Sequence, residues 1–378
     1  VLRKAIITLL YIAIPVAVAL GTYRALHFYF LDPVDPDNTQ TVLIDATETK
    51  SFNEIAQSLQ SQGLIRNGFT FRLLARLQHK DTLVKAGEYE ISPSMSPQQI
   101  LNKLVRGEMF TRRVTVKEGM TIADISAALE QAGIISRAAF DAAAHDTQLL
   151  LEEGIEATSF EGYLFPETYQ FPRNTTARKI IKTMHEQLQK RWLPDWAQRA
   201  EIYAMSTHQV LTLASIIEKE SGNFEEQPVI SSVFHNRLKR GMRLQADPTV
   251  IYGIPNFNGN ITKQDLNTLT PYNTYMIDGL PPGPIANPGI AAIKAALFPT
   301  DTNFLYFVGN GDGKHIFSET LSDHNDAVNE FQRGKPGAPD VVPASGAAAT
   351  QEPPSAILLQ DTPTSQPAQQ PAAAPAQQ

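Results

Sequence analysis

Near the middle of the chain, the stretch LASIIEKESGNF (Leu213–Phe224) closes an apolar run with two glutamates on either side of a lysine. A carboxyl group becomes an acid–base catalyst when its proton can be held near neutral pH, and burial against hydrocarbon does this by penalising the charged form. On a helix from His208 to Ser221, at about 100° per residue, Leu213 lies about 20° from Glu220, Ile216 about −40° and Ile217 about 60°. Glu220 therefore occupies the middle of an apolar stripe. Glu218 lies about 160° away, nearer Leu211, Ala214 and Ser215. The spacing predicts Glu220 as a general acid able to protonate a glycosidic oxygen. Ser221 and Asn223 follow as hydrogen-bonding partners for the carboxyl or a substrate, and Gly222 is expected to end the helix. The same letters also read as a helix end reaching water, with Glu-Lys-Glu a solvated face, and periodicity alone leaves both readings open.

Other catalytic patterns are poorly represented. HEQLQ begins like a zinc-protease helix, but Gln189 stands where a second His ligand to His185 is needed. No G-x-S-x-G nucleophile elbow occurs. The eight His are scattered, and no cysteine exists to supply a thiolate nucleophile, a thiolate ligand or a disulfide. No metal site and no cofactor are expected. His315 and His324 read as structural or substrate-contacting. Trp192 and Trp196, four residues apart, suit a core or interface better than a sugar platform.

The elements that must carry this chemistry follow from patterning. Net charge is −7, without the basic field or phosphate-binding loop of a nucleic-acid binder. Arg3 and Lys4 precede an uncharged run, Ala5–Thr22, whose ~18 residues at ~1.5 Å each span most of a bilayer core. Charge before the run puts the following chain outside the cytoplasm, and Tyr11 and Tyr23 suit the interfaces. A cleaved signal peptide ending near AVALG is the other reading. An internal repeat comes next. Ile55, Ala56, Leu59, Gly63 and Ile65 match Ile125, Ser126, Leu129, Gly133 and Ile135 at a shift of 70, and Tyr89 matches Tyr169 at a shift of 80. Each copy reads as strand, helix, helix, strand, an arrangement like LysM-type glycan-binding modules; a structural spacer fits as well. Downstream lie helices and then Gly/Pro-rich segments (GMRLQADPTVIYG, PYNTY, GLPPGPIANPG) of the kind that line sites. A hairpin through Gly-Asp-Gly joins FLYFVGN to KHIFSET. The Pro-, Ala- and Gln-rich end reads as disordered.

Those downstream stretches, with EGYLFPETY, LASIIEKESG, VFHNRLKRGMRLQADPTVIYG and YFVGNGDGKHIFSETLSDHN, occur in order over about 170 residues. They resemble the endolytic murein transglycosylase (YceG-like) family, and the likeness extends through nearly all of residues 1–333. The resemblance implies an α+β chain. It has a transmembrane anchor (1–22), a linker (23–40), a LysM-like βααβ subdomain (41–110) and a second repeat-like unit (111–153). A mixed α/β catalytic domain with a helix-borne Glu (154–335) follows, and then a disordered tail (336–378). It implies cleavage of the MurNAc–GlcNAc β-1,4 bond of peptidoglycan to a 1,6-anhydro end, with Glu220 as the acid. Asn236, Arg237, Gln245, Asp247, Tyr272, Asn273 and Tyr275 are cleft candidates, each equally readable as turn or core support. The implied place is the inner membrane, single-pass, with the catalytic part on the periplasmic or extracellular side. There it would terminate new glycan strands, and peptidoglycan synthases of the penicillin-binding class are open as partners. A non-catalytic peptidoglycan-binding scaffold is the alternative.

Overall fold

The computed structural model describes residues 2–46 and 50–333; the tail expectation for 336–378 lies outside them. In chain order the elements are α1 (Leu2–Phe30), β1 (Val42–Ala46), α2 (Phe52–Ser61), α3 (Gly68–Leu77), β2 (Gly87–Ile91), α4 (Pro97–Arg106), β3 (Thr111–Thr115), α5 (Ile122–Gln131), α6 (Arg137–Ala144), α7 (Thr147–Glu152), β4 (Thr168–Pro172) and α8 (Ala177–Arg191). They continue as α9 (Pro194–Ile202), α10 (Thr207–Glu220), α11 (Gln227–Lys239), α12 (Asp247–Tyr252), α13 (Lys263–Asn267), α14 (Ile290–Leu297), β5 (Tyr306–Gly309), β6 (His315–Ser318), α15 (Leu321–Val328) and a π turn, Asn329–Arg333. The strands form three antiparallel pairs, β1–β2, β3–β4 and β5–β6.

Contacts divide the chain into two units. One holds the described residues up to Thr115 with Ser126–Phe140 and Thr168–Ile180; the other holds Val116–Ile125, Asp141–Glu167 and the described chain from Ile181 on. This departs from continuous segments ending at 153 and beginning at 154. The reason is strand pairing: β4 must lie against β3, so Thr168–Pro172 leaves the catalytic segment and joins the repeats.

In the first unit the two copies share a register. Ile44 faces Tyr89 in β1–β2, and Val114 faces Tyr169 in β3–β4. These pairs are related by the shifts of 70 and 80, so the ten extra residues of the second copy fall between its helices and its closing strand. Ser51 caps α2 in a reciprocal box with Glu54, and Thr121 and Asp124 repeat those bonds at the start of α5. Gly63 and Gly133 end the two helices at φ 69° and 67°, a left-handed conformation that a Cβ would strain. The core of the first copy gathers Ile44, Leu59, Phe71, Tyr89, Ile100 and Leu104. Glu88, almost fully buried, is held by Arg112 and Arg173. Its burial pushes the carboxyl up, but the two guanidinium groups outweigh that and lower it.

The expected linker at 23–40 is not one. Helix α1 continues to Phe30, with no Gly or Pro after Gly21 to interrupt it, and the next residues fold onto the first copy. Arg66 donates to the carbonyls of Phe28 (3.1 Å), Asp32 (2.8 Å) and Val34 (3.3 Å), and its guanidinium lies 4.0 Å from the Phe28 ring centroid. Asp35 and Ser94 complete the seam through backbone bonds to Pro93 and Asn38. Helix α1 contains one stretch, Tyr11–Phe30, long and apolar enough to cross a membrane by length and composition.

Candidate active site

Helix α10 begins with a box in which Ser206 and Gln209 cap each other. Every residue from Val210 to Ile217 is buried, including Thr212 and Ser215. The helix is therefore buried all round its middle rather than along one stripe, and the stripe does not by itself single out Glu220. The polar residues on its other side latch a loop. His208 Nε2 donates to the Pro282 carbonyl at 2.8 Å, so its Nδ1 accepts from the Tyr163 hydroxyl at 2.9 Å. Ser215 Oγ accepts from Ile285 N (3.0 Å), and Glu218 accepts from Gly289 N (2.9 Å). Glu218 is thus neither solvated nor idle: it caps the start of α14. Burial raises its pKa, with the Gly289 bond opposing.

Glu220 is the last residue of α10 and is half-buried. Its carboxyl accepts no hydrogen bond among the described residues. Burial, with a smaller push from the charge of Asp247 and against the pull of Arg237, raises its pKa to about 8. The helix is ended by Ser221, whose backbone turns extended at φ −140°, ψ 124°. Gly222 takes no left-handed conformation, so the expectation that Gly ends this helix is corrected. Ser221 Oγ is engaged with Asn223 N at 3.0 Å, and Asn223 Oδ1 receives Glu225 N at 3.1 Å, which fixes the turn that follows.

Around Glu220 the structure gathers Arg237, Asp247 and Tyr275, with Gln245 bonded to Arg237. Asp247 opens α12, buried, and accepts from the Tyr275 hydroxyl at 2.5 Å. Burial raises its pKa to about 6, the Tyr275 bond opposing. Tyr275 itself is raised well above the usual phenol range by burial and by the charge of Asp247. Arg237, buried, spans Leu305 O (2.7 Å), Leu244 O (3.0 Å) and Gln245 Oε1 (3.1 Å). Gln245, which accepts the last of these bonds through its side chain, sits in the left-handed region at φ 49°. The other candidates are committed elsewhere. Asn236 donates to Thr302 O and Phe304 O, and Asn273 donates to three carbonyls of the 265–268 turn. Tyr272 packs on Tyr252, ring centroids 4.8 Å apart, in a separate cluster.

That second cluster escaped the sequence reading. Glu161, almost fully buried, accepts from Ile122 N (3.1 Å), the Asn287 amide (2.9 Å) and the Tyr252 hydroxyl (3.3 Å). Burial raises its pKa to about 7 despite these bonds. It lies in an irregular segment, where no periodicity marks a buried carboxylate. The histidines are structural in their contacts. His315 pairs with Glu226 at 2.8 Å, His324 is buried against Tyr306 and lowered to about 4 by burial, and His185 is bonded to Gln189. Trp196 is buried, with Trp192 packed edge-on at 5.6 Å. Among the described residues no three His, Asp or Glu side chains converge as a metal would need.

Comparison with known proteins follows the same segments. The model of the YceG-like family matches residues 44–330. An endolytic murein transglycosylase of Bacillus subtilis (strain 168) is 33% identical over 321 residues, covering 81% of this chain and 89% of that protein. One of Streptococcus pneumoniae (serotype 2, strain D39) is 29% identical over 342 residues, covering 81% of this chain and 62% of that protein. The crystal structure of a yceG-like protein of Listeria monocytogenes superposes with a TM-score of 0.53 at 31% identity, covering 76% of this chain and 99% of that one. With its carboxyl cluster carried on segments inside the matched range, this chain belongs to the YceG-like family.

Proposed function

We propose that the chain is a lytic transglycosylase of peptidoglycan that cleaves the MurNAc–GlcNAc β-1,4 bond with Glu220 as its single acid–base. One observation carries the reading: Glu220 is desolvated enough to stay protonated near neutral pH, yet no described residue hydrogen-bonds its carboxyl. Its proton is therefore available to a substrate. Glu220 protonates the glycosidic oxygen as the bond to the muramoyl anomeric carbon breaks. The resulting carboxylate then takes the proton of the muramoyl 6-hydroxyl, whose oxygen closes on that carbon as a 1,6-anhydro ring. One carboxyl serves both steps, whereas a hydrolase places a second one across the bond.

Asp247 is the specific rival for that second role, because it is a buried acid electrostatically linked to Glu220. Its bond from Tyr275 favours a supporting part: Asp247 stabilises the proton on Glu220, and Tyr275 keeps Asp247 in place. Digestion of purified peptidoglycan with mass analysis of the new ends separates the readings. Anhydro ends support the transglycosylase, reducing ends assign Asp247 to a hydrolase, and intact strands return the chain to a binding scaffold.

The catalytic part is assigned to the second unit, and α1 to a single-pass anchor in the inner membrane that leaves that unit outside the cytoplasm. Tyr11–Phe30 supports this by length and composition. A soluble product beginning near Gly21 on N-terminal sequencing would overturn the anchor. Such a tether confines cleavage to strands close to the membrane, which suits termination of nascent strands beside a synthase.

A further inference from the structure

Helix α3 is apolar on two sides. At about 100° per residue, Gly68, Phe71, Leu74 and Ala75 fall on one side, and all four are buried in the first repeat. Phe69, Leu73 and Leu77 recur at every fourth position on the opposite side, and they are 65%, 37% and 69% exposed. Arg72 and Arg76 run beside this outer stripe, Lys80 lies just past the helix, and no acidic residue occurs from Asn67 to Lys80. Arg72 reaches the neutral amide of Asn53, and Lys80 the neutral amides of Gln78 and Asn102, so these bonds leave the positive charge uncancelled.

The fold does not need this face. At a shift of 69, Phe71 meets Phe140 and Ala75 meets Ala144, and all four are buried. The same shift sets Phe69, Leu73 and Leu77 against Ala138, Ala142 and Asp146, and Arg72 and Arg76 against Asp141 and His145. The second copy keeps the core positions, loses the apolar stripe and carries acid where the first carries base. What α3 adds therefore serves something outside the repeat. Its place in the first unit says what. Arg66, two residues before α3 begins, donates to the carbonyls of Phe28, Asp32 and Val34, and α1 and α3 touch. The start of α3 is thereby fixed at the end of α1, where Phe28, Tyr29 and Leu31 are themselves exposed. Where α1 crosses a bilayer, α3 starts at its surface. An aromatic ring and leucines beside arginines form the face with which an interfacial helix enters the headgroup boundary, and the arginines favour anionic lipid.

We infer that the outer face of α3 seats on the anionic surface of the bilayer from which α1 emerges, as a second membrane contact beside the anchor. This rests on the reading of α1 as an anchor. The chain has no cysteine, so single introduced cysteines report each position separately. The full chain carrying Leu77→Cys, Ala142→Cys or Ala17→Cys is labelled with an environment-sensitive fluorophore. It is then reconstituted into vesicles of phosphatidylglycerol and phosphatidylethanolamine that contain a lipid spin-labelled in its acyl chain. The labels at 17 and 77 should be quenched about twofold or more, and the label at 142, the matching place in the second copy, should not. Exchanging phosphatidylglycerol for phosphatidylcholine, or adding Arg72→Glu and Arg76→Glu, should relieve the quenching at 77 and leave that at 17. Quenching at 17 with 77 no different from 142 overturns the seat while the anchor stands. Cross-linking of the unlabelled cysteine at 77 to a second copy, without quenching by lipid, gives the face to a dimer and also overturns it. Quenching at 77 but not at 17 overturns the anchor and keeps the face as a lipid contact.

Discussion

Two carboxyl groups in the second unit are both raised by desolvation and stand in opposite situations. Glu161 is raised to about 7 and Glu220 to about 8, both chiefly by burial. Glu161 receives hydrogen bonds from a backbone N–H, an amide and a phenol, and it ties together segments as distant in sequence as Ile122 and Asn287. Among the described residues Glu220 receives none, and it stands at a helix end beside loops. A raised pKa thus marks desolvation, not catalysis. What separates an acid that can react from one that braces the fold is whether its lone pairs are already spent.

The largest expected effect is at Glu220. Glu220→Gln should lower cleavage about 10³-fold or more, the scale of a lost general acid, without unfolding the protein. The wild-type rate should fall as pH rises through about 8, where Glu220 loses its proton. Stability follows the same sign. A carboxyl raised from the ordinary 4.5 stabilises the fold fully below that value, and its contribution is lost as pH rises through the folded value. Between those limits Glu220→Gln should melt progressively higher relative to wild type as pH increases, and above them the difference should level off; a constant difference from pH 4 to 9 would break the assignment. Glu161→Ala should do the reverse. It leaves the Ile122 N–H, the Tyr252 hydroxyl and one of the two N–H groups of the Asn287 amide without their partner, for a loss of about 3 kcal/mol in denaturant unfolding, while the molecules still folded retain most activity. If that variant is as stable as wild type but inactive, the comparison inverts. A smaller effect is expected from Asp247→Asn. Removing its charge removes an upward push on Glu220, so the basic limb of the pH–rate profile should move to lower pH, and an unmoved limb would deny the coupling. The smallest is Glu218→Gln, which keeps an oxygen for Gly289 N and should change cleavage by less than about threefold.

The repeats were legible because a capping residue, a closing glycine and buried apolar positions recur at fixed spacing, and each has a local cause. The expectation at Glu220 rests on a reason that the structure supports only in half. Its angle on the helix was read correctly, but the helix is buried all round, so the angle does not distinguish it from Glu218. That distinction comes from Gly289, 71 residues beyond Glu218 in the chain. Glu161 was not legible at all, since its partners at 122, 252 and 287 meet only through the fold. Asn236 and Asn273 were read as cleft candidates because polar residues in Gly/Pro-rich motifs look alike, whether they point at a ligand or at a carbonyl. The linker was misread because composition does not reveal that Arg66, beyond the first helix of the repeat, reaches back to the end of α1.

That last contact has a mechanical consequence. An arginine bonded to the carbonyls of Phe28, Asp32 and Val34, in the last turn of a helix and just past it, makes the joint stiff where a hinge would be expected. If α1 stands in a bilayer as proposed, the first repeat does not swing on a leash but rides on a stem. A tilt of the helix would be passed directly to the repeat, and the height of its α2–α3 surface above the lipid would be set by the fold instead of by thermal wandering.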